Sequence, residues 1–171
     1  MVYNALAGAL VGQELGLTPD EIKAGIEALV PVSGRNNLIE TDSLMIIDDC
    51  YNANPVSTKA SLDVLSLADS RKVAILGDMF ELGENEKELH FGVGEYAAHK
   101  NIDLIICIGA LSLNTARGAE SNGANALHFK TKADFLLEAK NILQKGDAVL
   151  VKASNGMAFS EIVENLKQLK L

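Results

Sequence analysis

The chain has 171 residues, of which 48% are hydrophobic and 22% are charged, and its formal net charge at pH 7 is −8. A chain of this length and composition can bury a sizeable core, which excludes a disordered tail. The negative charge argues against a general binder of nucleic acid or of a membrane surface, because their phosphate groups would repel it. A small anionic ligand held by a few local groups stays compatible with this composition.

The two cysteines, Cys50 and Cys107, each lie in an apolar segment. Their spacing fits neither a zinc site nor a disulfide framework, which favours a reducing compartment. No apolar stretch approaches the roughly 18 residues that a membrane-spanning helix needs, and the N-terminal segment lacks the basic region of a signal peptide. The sequence therefore predicts a cytoplasmic protein without membrane insertion.

The first 32 residues predict two short helices. The alanine-rich segment 4–15 carries apolar residues at helical spacing, and Gly16 ends it. Thr18 is the predicted N-cap of the second helix, which is expected to run to about Val30 and to stop before the next proline. Two helices of this length do not form a domain by themselves, so residues 1–32 are predicted to be the tail of a domain that lies upstream.

From residue 33 onward, strands and helices are predicted to alternate. The predicted strands are 38–40, 44–48, 72–76, 103–108, 126–129 and 148–152. The predicted helices are 57–67, 87–100, 113–119, 133–144 and 160–169. The segments KVAIL, DLIICI and AVLVK are continuously apolar and rich in β-branched residues, which indicates a parallel sheet covered by helices on both faces. Residues 33–171 are therefore predicted to form a doubly wound α/β domain with a mostly parallel sheet.

Polar loops follow the predicted strands. The loops DDCYNANP (48–55), GDMFELG (77–83) and KASNGM (152–157) each come directly at the end of an apolar strand. Ligands of open α/β sheets bind beyond the carboxyl ends of the strands. Two acidic loops and one loop with lysine and serine should therefore converge at one edge of the sheet, which makes that edge a candidate ligand site.

Each candidate residue in these loops also has a purely structural explanation. Asp49 and Asp78 are suited to capping a turn or a helix, and Asn52 and Asn54 are common turn residues before a proline. Paired side-chain amides also suit recognition of a base edge or a peptide amide. A lysine at the end of a buried strand, Lys152, has few directions to point except toward the ligand edge.

The histidines and the absent motifs exclude several kinds of active site. His90 lies on a predicted helix near the GDMFELG loop and its role is open, whereas His99 is explained as a helix-terminal residue. No histidine pair has metal-ligand spacing. The sequence contains no P-loop motif, no dinucleotide-binding glycine motif and no nucleophile elbow. The chain is therefore not expected to hold a metal ion or to cradle a triphosphate by itself.

Taken together, these loops resemble a known family. The motifs DCYNANP (49–55), LGDMFELG (76–83), ELH (88–90) and LVKASNGM (150–157) occur in the order found in the C-terminal part of the Mur ligases. They are most similar to the member of the family that adds D-alanyl-D-alanine. The segments YNALA (3–7) and PVSGR (31–35) are also similar, so the resemblance covers essentially the whole chain. Asn155 stands where the family usually has a basic residue, and Ala153 where it has glycine.

The resemblance implies a fragment of a three-domain enzyme of peptidoglycan precursor synthesis. In this family an N-terminal domain binds UDP-N-acetylmuramoyl-tripeptide, a central P-loop domain binds ATP and Mg²⁺, and the C-terminal domain brings in D-alanyl-D-alanine. Residues 1–32 would be the last helices of the central domain and 33–171 the C-terminal domain. The carboxylate of the tripeptide would be phosphorylated by ATP and the acyl phosphate attacked by the dipeptide amine. The isolated chain is expected to be inactive, because its ATP site would lie upstream.

The resemblance also implies residue roles on the nucleotide side. Arg35 would reach the ATP phosphates when the domains close, and a guanidinium suits this role because it is always charged and can bind in a bidentate manner. Asp49 would accept hydrogen bonds from the ribose hydroxyls. Asn52 and Asn54 would lie alongside the nucleotide.

On the dipeptide side, the resemblance implies that Asp78, Glu81, Lys152 and Ser154 line the pocket. Charge complementarity further suggests that Lys152 pairs with the dipeptide carboxylate and that Asp78 holds its ammonium group. Arg35 and Lys152 are thus the predicted catalytic residues, and no metal ligand is predicted. Separately, Cys50 is expected to be a small buried residue and not a nucleophile.

Three alternatives are open at this point. The first is a phosphoacceptor receiver domain, whose acids and lysine are imitated by Asp48, Asp49, Asp78 and Lys152, although Gly109 occupies the place of the acceptor aspartate. The second is a non-catalytic binding module that regulates peptidoglycan synthesis. The third is the C-terminal domain of another amide ligase, such as folylpolyglutamate synthase, against which the sequence NAN after the tyrosine argues.

Overall fold

The computed structural model describes residues 2–29 and 34–171, and the chain divides into two compact units, Met1–Val32 and Ser33–Leu171. This division coincides with the predicted boundary between 1–32 and 33–171. The predicted end of the second helix near Val30 and most of the PVSGR segment lie outside the described residues.

The first unit contains two helices, α1 (Val2–Glu14) and α2 (Pro19–Glu27). Thr18 is the N-cap of α2, as predicted: its hydroxyl accepts a hydrogen bond from the backbone N–H of Glu21, and the Glu21 carboxylate accepts one from the N–H of Thr18. Such a reciprocal pair satisfies two of the N–H groups that a helix start leaves without a partner. Helix α2 ends at Glu27, earlier than predicted.

The second unit is built on one six-stranded sheet. Its strands are β1 (Asn37–Glu40), β2 (Met45–Asp48), β3 (Lys72–Gly77), β4 (Leu104–Ile108), β5 (Ala126–Phe129) and β6 (Ala148–Lys152). Their order across the sheet is β1-β2-β6-β3-β4-β5, and β1 is antiparallel to β2 while all other neighbours are parallel. The prediction of a mostly parallel sheet is confirmed.

Helices cover both faces of this sheet. They are α3 (Pro55–Ser66), α4 (Glu86–Ala98), α5 (Leu113–Ser121), α6 (Lys132–Ile142) and α7 (Ser160–Lys167). Side chains of α3, α4 and α5 share one buried cluster with every second strand residue, and side chains of α6 and α7 share another with the alternate residues. Successive strand side chains point to opposite faces, so each strand contributes to both clusters. The domain is therefore doubly wound, as predicted.

The strand order decides where the polar loops meet. Strand β6 lies between β2 and β3 and runs parallel to both. The loops that leave the carboxyl ends of these three strands consequently start side by side at one edge of the sheet. No helix within 2–29 or 34–171 is long and apolar enough to cross a membrane.

Candidate ligand cleft at the carboxyl edge of the sheet

A cleft of ≈ 410 Å³ lies between the three loops. Its lining residues are Tyr51, Asn52, Ala53, Asn54, Phe80, Glu81, Leu82, Ser154, Asn155 and Gly156. They come from the loops after β2, β3 and β6, so the predicted convergence of these loops is confirmed. Asn52, Asn54, Glu81 and Ser154 were predicted from the sequence, and all four line this cleft.

Lys152 and Asp49 form an ion pair beneath the cleft. The Lys152 Nζ lies 2.5 Å from Oδ2 of Asp49, and the two side chains are 2% and 14% exposed. The same carboxylate accepts hydrogen bonds from the Ser61 hydroxyl at 2.6 Å and from the backbone N–H of Asn36 at 3.1 Å. The ammonium also donates to the carbonyl of Asn52 at 3.0 Å. Buried charges need such partners to offset their lost hydration, and here the partners connect β6, α3 and the segment before β1.

Arg35 is held in a different way. Its guanidinium carbon lies 4.2 Å from the centroid of the Tyr51 ring. Within the described part of the chain, no carboxylate lies within ion-pair distance of Arg35. The backbone N–H of Tyr51 donates to the carbonyl of Gly34 at 2.9 Å, and Gly34 has φ +75°. A Cβ at Gly34 would lie only 3.0 Å from the Tyr51 nitrogen, so this close approach and the positive φ both favour glycine.

Asp78 is buried and caps the turn that leads into α5. One carboxylate oxygen accepts the N–H of Ser112 at 2.7 Å, and the other accepts the N–H of Ala110 at 3.1 Å. Gly109, with φ +125°, packs against this carboxylate so closely that a Cβ there would collide with it. The charge of Asp78 is therefore solvated by backbone N–H groups, a common arrangement at a helix start.

The loop after β3 is fixed by two side chains from elsewhere in the chain. His90 on α4 is fully buried, and its Nε2 accepts the backbone N–H of Met79 at 2.9 Å. Its Nδ1 lies 2.7 Å from the Glu86 carbonyl, so these two bonds assign a neutral ring with the proton on Nδ1. Ser154 accepts the N–H of Phe80 at 2.8 Å. The next residue, Glu81, has φ +62° and an exposed side chain at the cleft.

The two asparagines have structural roles as well as exposed amides. Asn54 is the N-cap of α3, where its side-chain oxygen accepts the N–H of Ser57 at 2.9 Å. The side-chain oxygen of Asn52 accepts the N–H of Ala53 at 2.9 Å. Neither side-chain NH₂ group donates a hydrogen bond within the described ranges, so both remain available to a ligand. The structural explanation for these residues is confirmed, and their contact with a nucleotide stays a prediction.

Cys50 is a poor nucleophile here. It is 7% exposed, and its Sγ donates to Oδ1 of the neighbouring Asp48 at 3.0 Å. Burial, followed by this hydrogen bond and the Asp48 charge, raises the pKa of the Cys50 thiol to about 12. Burial also raises the pKa of Cys107. Residues 2–29 and 34–171 contain no group of three or more His, Cys, Asp or Glu side chains placed to hold a metal ion.

Several contacts at the site were not predicted from the sequence. The Arg35–Tyr51 stack, the bond from Ser61 to Asp49 and the His90 bond to Met79 all join residues that are distant in the chain. Only His90 gave a signal, since its helix lies just after the GDMFELG loop. The direct roles predicted for Asp78 and Lys152 in dipeptide binding stay predictions, and the structure adds that both charges already have internal partners.

Comparison with known proteins shows to which family the chain belongs. The family described as "Mur ligase, glutamate ligase domain" matches residues 34–155. The UDP-N-acetylmuramoyl-tripeptide–D-alanyl-D-alanine ligase of Bacillus subtilis (strain 168) is 36% identical over 170 residues, which cover 96% of this chain and 37% of that protein. This chain thus spans a little over a third of the length of this curated relative.

Solved structures agree with this match. A crystal structure of MurF from Acinetobacter baumannii has a TM-score of 0.91 and 29% identity, covering 97% of this chain and 37% of that one. The MurF ligase from Thermotoga maritima in complex with ADP has a TM-score of 0.75 and 27% identity, covering 93% of this chain and 36% of that one. The chain belongs to the Mur ligase family, and its second unit is the domain that holds the cleft.

Proposed function

We propose that this chain is the C-terminal part of an ATP-dependent ligase that adds D-alanyl-D-alanine to UDP-N-acetylmuramoyl-tripeptide. The proposal is supported by 36% identity to a ligase of that name over 96% of the chain. The observation that carries it is the cleft itself, where exposed amides and an exposed carboxylate from separate loops meet at one edge of the sheet. The Arg35 guanidinium lies on the ring of Tyr51, which lines this cleft.

The reaction makes an amide bond from a carboxylate and an amine. A carboxylate oxygen of the tripeptide takes the terminal phosphoryl group of ATP, the bond of that group to ADP breaks, and an acyl phosphate and ADP result. The amine of the dipeptide then forms the C–N bond, the C–O bond to phosphate breaks, and inorganic phosphate leaves. Such a reaction requires aligned reactants and cationic groups placed in advance near the phosphates.

On the nucleotide side, Arg35 supplies the cation. Its guanidinium is not paired with a carboxylate in the described chain, so its charge is available to phosphate oxygens. The free NH₂ groups of Asn52 and Asn54 suit acceptors on a base or a sugar. Asp49 stays 14% exposed beside its internal partners, which leaves part of one carboxylate edge for ribose hydroxyls.

On the dipeptide side, we assign the ammonium contact to Glu81. Its carboxylate is exposed at the cleft, whereas Asp78 is buried and accepts two backbone N–H groups. This assignment revises the contact predicted for Asp78 and gives that residue a role in holding the loop. Lys152 likewise acts by holding Asp49, and Ser154 acts by holding the backbone at Phe80.

The first unit supports the proposal that a further domain of the same enzyme lies next to this chain. Helix α1 and the residues after it expose an unusual number of apolar side chains, namely Tyr3, Leu6, Leu10, Val11, Leu15 and Leu17. Contiguous apolar surface of this kind normally marks a contact with other protein. We propose that the first unit packs on the central ATP-binding domain, and that this domain holds the Mg²⁺ that accompanies ATP.

The product of the reaction tests this function. The full-length protein that contains this chain is incubated with ATP, Mg²⁺, UDP-N-acetylmuramoyl-tripeptide and D-alanyl-D-alanine, and the products are weighed by mass spectrometry. We expect the UDP-linked pentapeptide and one phosphate for each peptide formed, and no product from residues 1–171 alone. A folded full-length protein that consumes ATP only with a folate substrate would overturn the proposal in favour of another amide ligase.

A further inference from the structure

The contact between Arg35 and Tyr51 differs from a salt bridge because it leaves the charge and the N–H donors of the guanidinium free. The guanidinium lies over the face of the ring, with its carbon 4.2 Å from the centroid. Among residues 2–29 and 34–171, none of its five N–H donors makes a hydrogen bond, so the contact with the ring leaves them unused. The ring attracts the cation through its electron-rich face but does not neutralise it as a carboxylate would.

The backbone on both sides of Arg35 is also fixed. The Gly34 carbonyl accepts the N–H of Tyr51 at 2.9 Å, and the N–H of Asn36 donates to Asp49 at 3.1 Å. Gly34 and Asn36 both have positive φ, +75° and +54°, so the arginine stands at a tight turn between two anchored residues. The contact with the Tyr51 ring then sets the direction of the long Arg35 side chain.

Tyr51 also connects this arginine to the cleft. Tyr51 is 45% exposed and lines the cleft together with Asn52 and Asn54. The arginine held on that ring is therefore in contact with a residue that lines the cleft. A cation that is ordered before the ligand arrives spares the binding step the entropy of ordering an arginine side chain.

We propose that Tyr51 is the positioning residue for Arg35, holding the guanidinium at the rim of the cleft with its N–H donors free for a phosphate-bearing ligand. This inference rests on the proposed function, because the ligand it serves is the phosphate chain of ATP. In the bound state the guanidinium keeps its contact with the aromatic face, while its N–H donors form charge-assisted hydrogen bonds to phosphate oxygens.

A double-mutant cycle in the full-length ligase tests the proposal. The variants are Tyr51→Leu, Tyr51→Phe, Arg35→Gln and Arg35→Gln/Tyr51→Leu, and the readouts are kcat and the KM for ATP. We expect Tyr51→Leu to lower kcat/KM for ATP about two- to fivefold, the size of an exposed cation–π contact, and Tyr51→Phe to recover most of that loss. In the Arg35→Gln background, Tyr51→Leu should have no further effect, because residues that act as a unit are not additive.

NMR spectroscopy of the 171-residue chain detects the contact between Arg35 and Tyr51 directly. The δ-methylene protons of Arg35 should show an upfield ring-current shift in the unmodified chain and in Tyr51→Phe, and lose it in Tyr51→Leu. Loss of the shift with unchanged kinetics, or additive effects of Tyr51→Leu and Arg35→Gln, would overturn the positioning role while leaving the proposed function intact. Unimpaired kinetics in Arg35→Gln would instead contradict the phosphate contact that the proposed function gives to this arginine.

Discussion

Lys152 and Asp49 are 103 positions apart in the chain, yet their side chains form a nearly buried ion pair with an Nζ–Oδ2 distance of 2.5 Å. The pair joins the end of β6 to the loop after β2. Because Asp49 also binds Ser61 and the backbone of Asn36, the pair supports both the cleft and the turn that carries Arg35. The central lysine of the site thus stabilises the geometry of other groups.

Removal of the lysine should cost stability as well as activity. We expect Lys152→Met to lower the free energy of unfolding of the chain by about 3–5 kcal/mol, since it leaves a largely buried carboxylate without its cation. Urea denaturation measures this change. Lys145→Met is the matched control, an exposed lysine whose replacement should change stability by less than about 0.5 kcal/mol. Equal midpoints for the two variants would show that the ion pair contributes nothing.

His90 should control the mobility of the loop after β3. In His90→Ala the buried N–H of Met79 loses its acceptor, which costs about 1–3 kcal/mol. We expect faster hydrogen exchange at the Met79 and Phe80 amides in this variant, measured by NMR. His99→Ala, at the exposed end of α4, is the control and should leave both amides unchanged. Unchanged exchange in His90→Ala would contradict the role given to this histidine.

Substitutions of Asp78 and Glu81, two acidic residues of the loop after β3, should have different effects. We expect Glu81→Gln to raise the KM for D-alanyl-D-alanine about tenfold or more with an unchanged melting temperature, because it removes a charged contact to the ammonium group. Asp78→Ala should instead lower the melting temperature, since two backbone N–H groups lose their acceptor. Glu84→Gln, an exposed acid on the following 3₁₀ turn, is the control. An unchanged dipeptide KM in Glu81→Gln would refute the assignment.

Cys50 should be unreactive in the folded protein and should make stability depend on alkaline pH. Its pKa is raised to about 12 from 9.0, so the thiolate is scarce at neutral pH and iodoacetamide should label it far more slowly than in the unfolded chain. The same shift stabilises the fold fully below pH 9, and this stabilisation is lost as the pH rises toward 12. Labelling is followed by site-resolved mass spectrometry. Equal rates in the folded and unfolded chain would contradict the buried thiol.

The elements of the fold were largely predictable because their signals are local. The apolar runs of β3, β4 and β6 marked buried parallel strands, and the predicted bounds differ from the observed ones by one residue or none. The position of β6 between β2 and β3 was not predictable, since no local pattern encodes the order of strands. That order nevertheless decides which loops form the cleft.

The sequence predicted which loops form the site, but not which side chains contact each other within it. The sequence placed Asn52, Asn54, Glu81 and Ser154 at the correct edge, because parallel strands end together. The sequence did not reveal that Lys152 forms an ion pair with Asp49, because that contact depends on the packing of β6 against the loop after β2. Nor did it reveal the Arg35–Tyr51 stack, which depends on a turn with positive φ at Gly34.

The role of Arg35 in the ligase reaction is tested most directly by the rate of phosphate release by the full-length ligase with ATP, UDP-N-acetylmuramoyl-tripeptide and D-alanyl-D-alanine, compared with its Arg35→Ala variant. We expect release that requires the dipeptide and falls at least about tenfold in the variant, as for the loss of a charged contact to phosphate, with an unchanged melting temperature. Release that proceeds equally well without D-alanyl-D-alanine, or at the same rate in Arg35→Ala, would contradict this expectation.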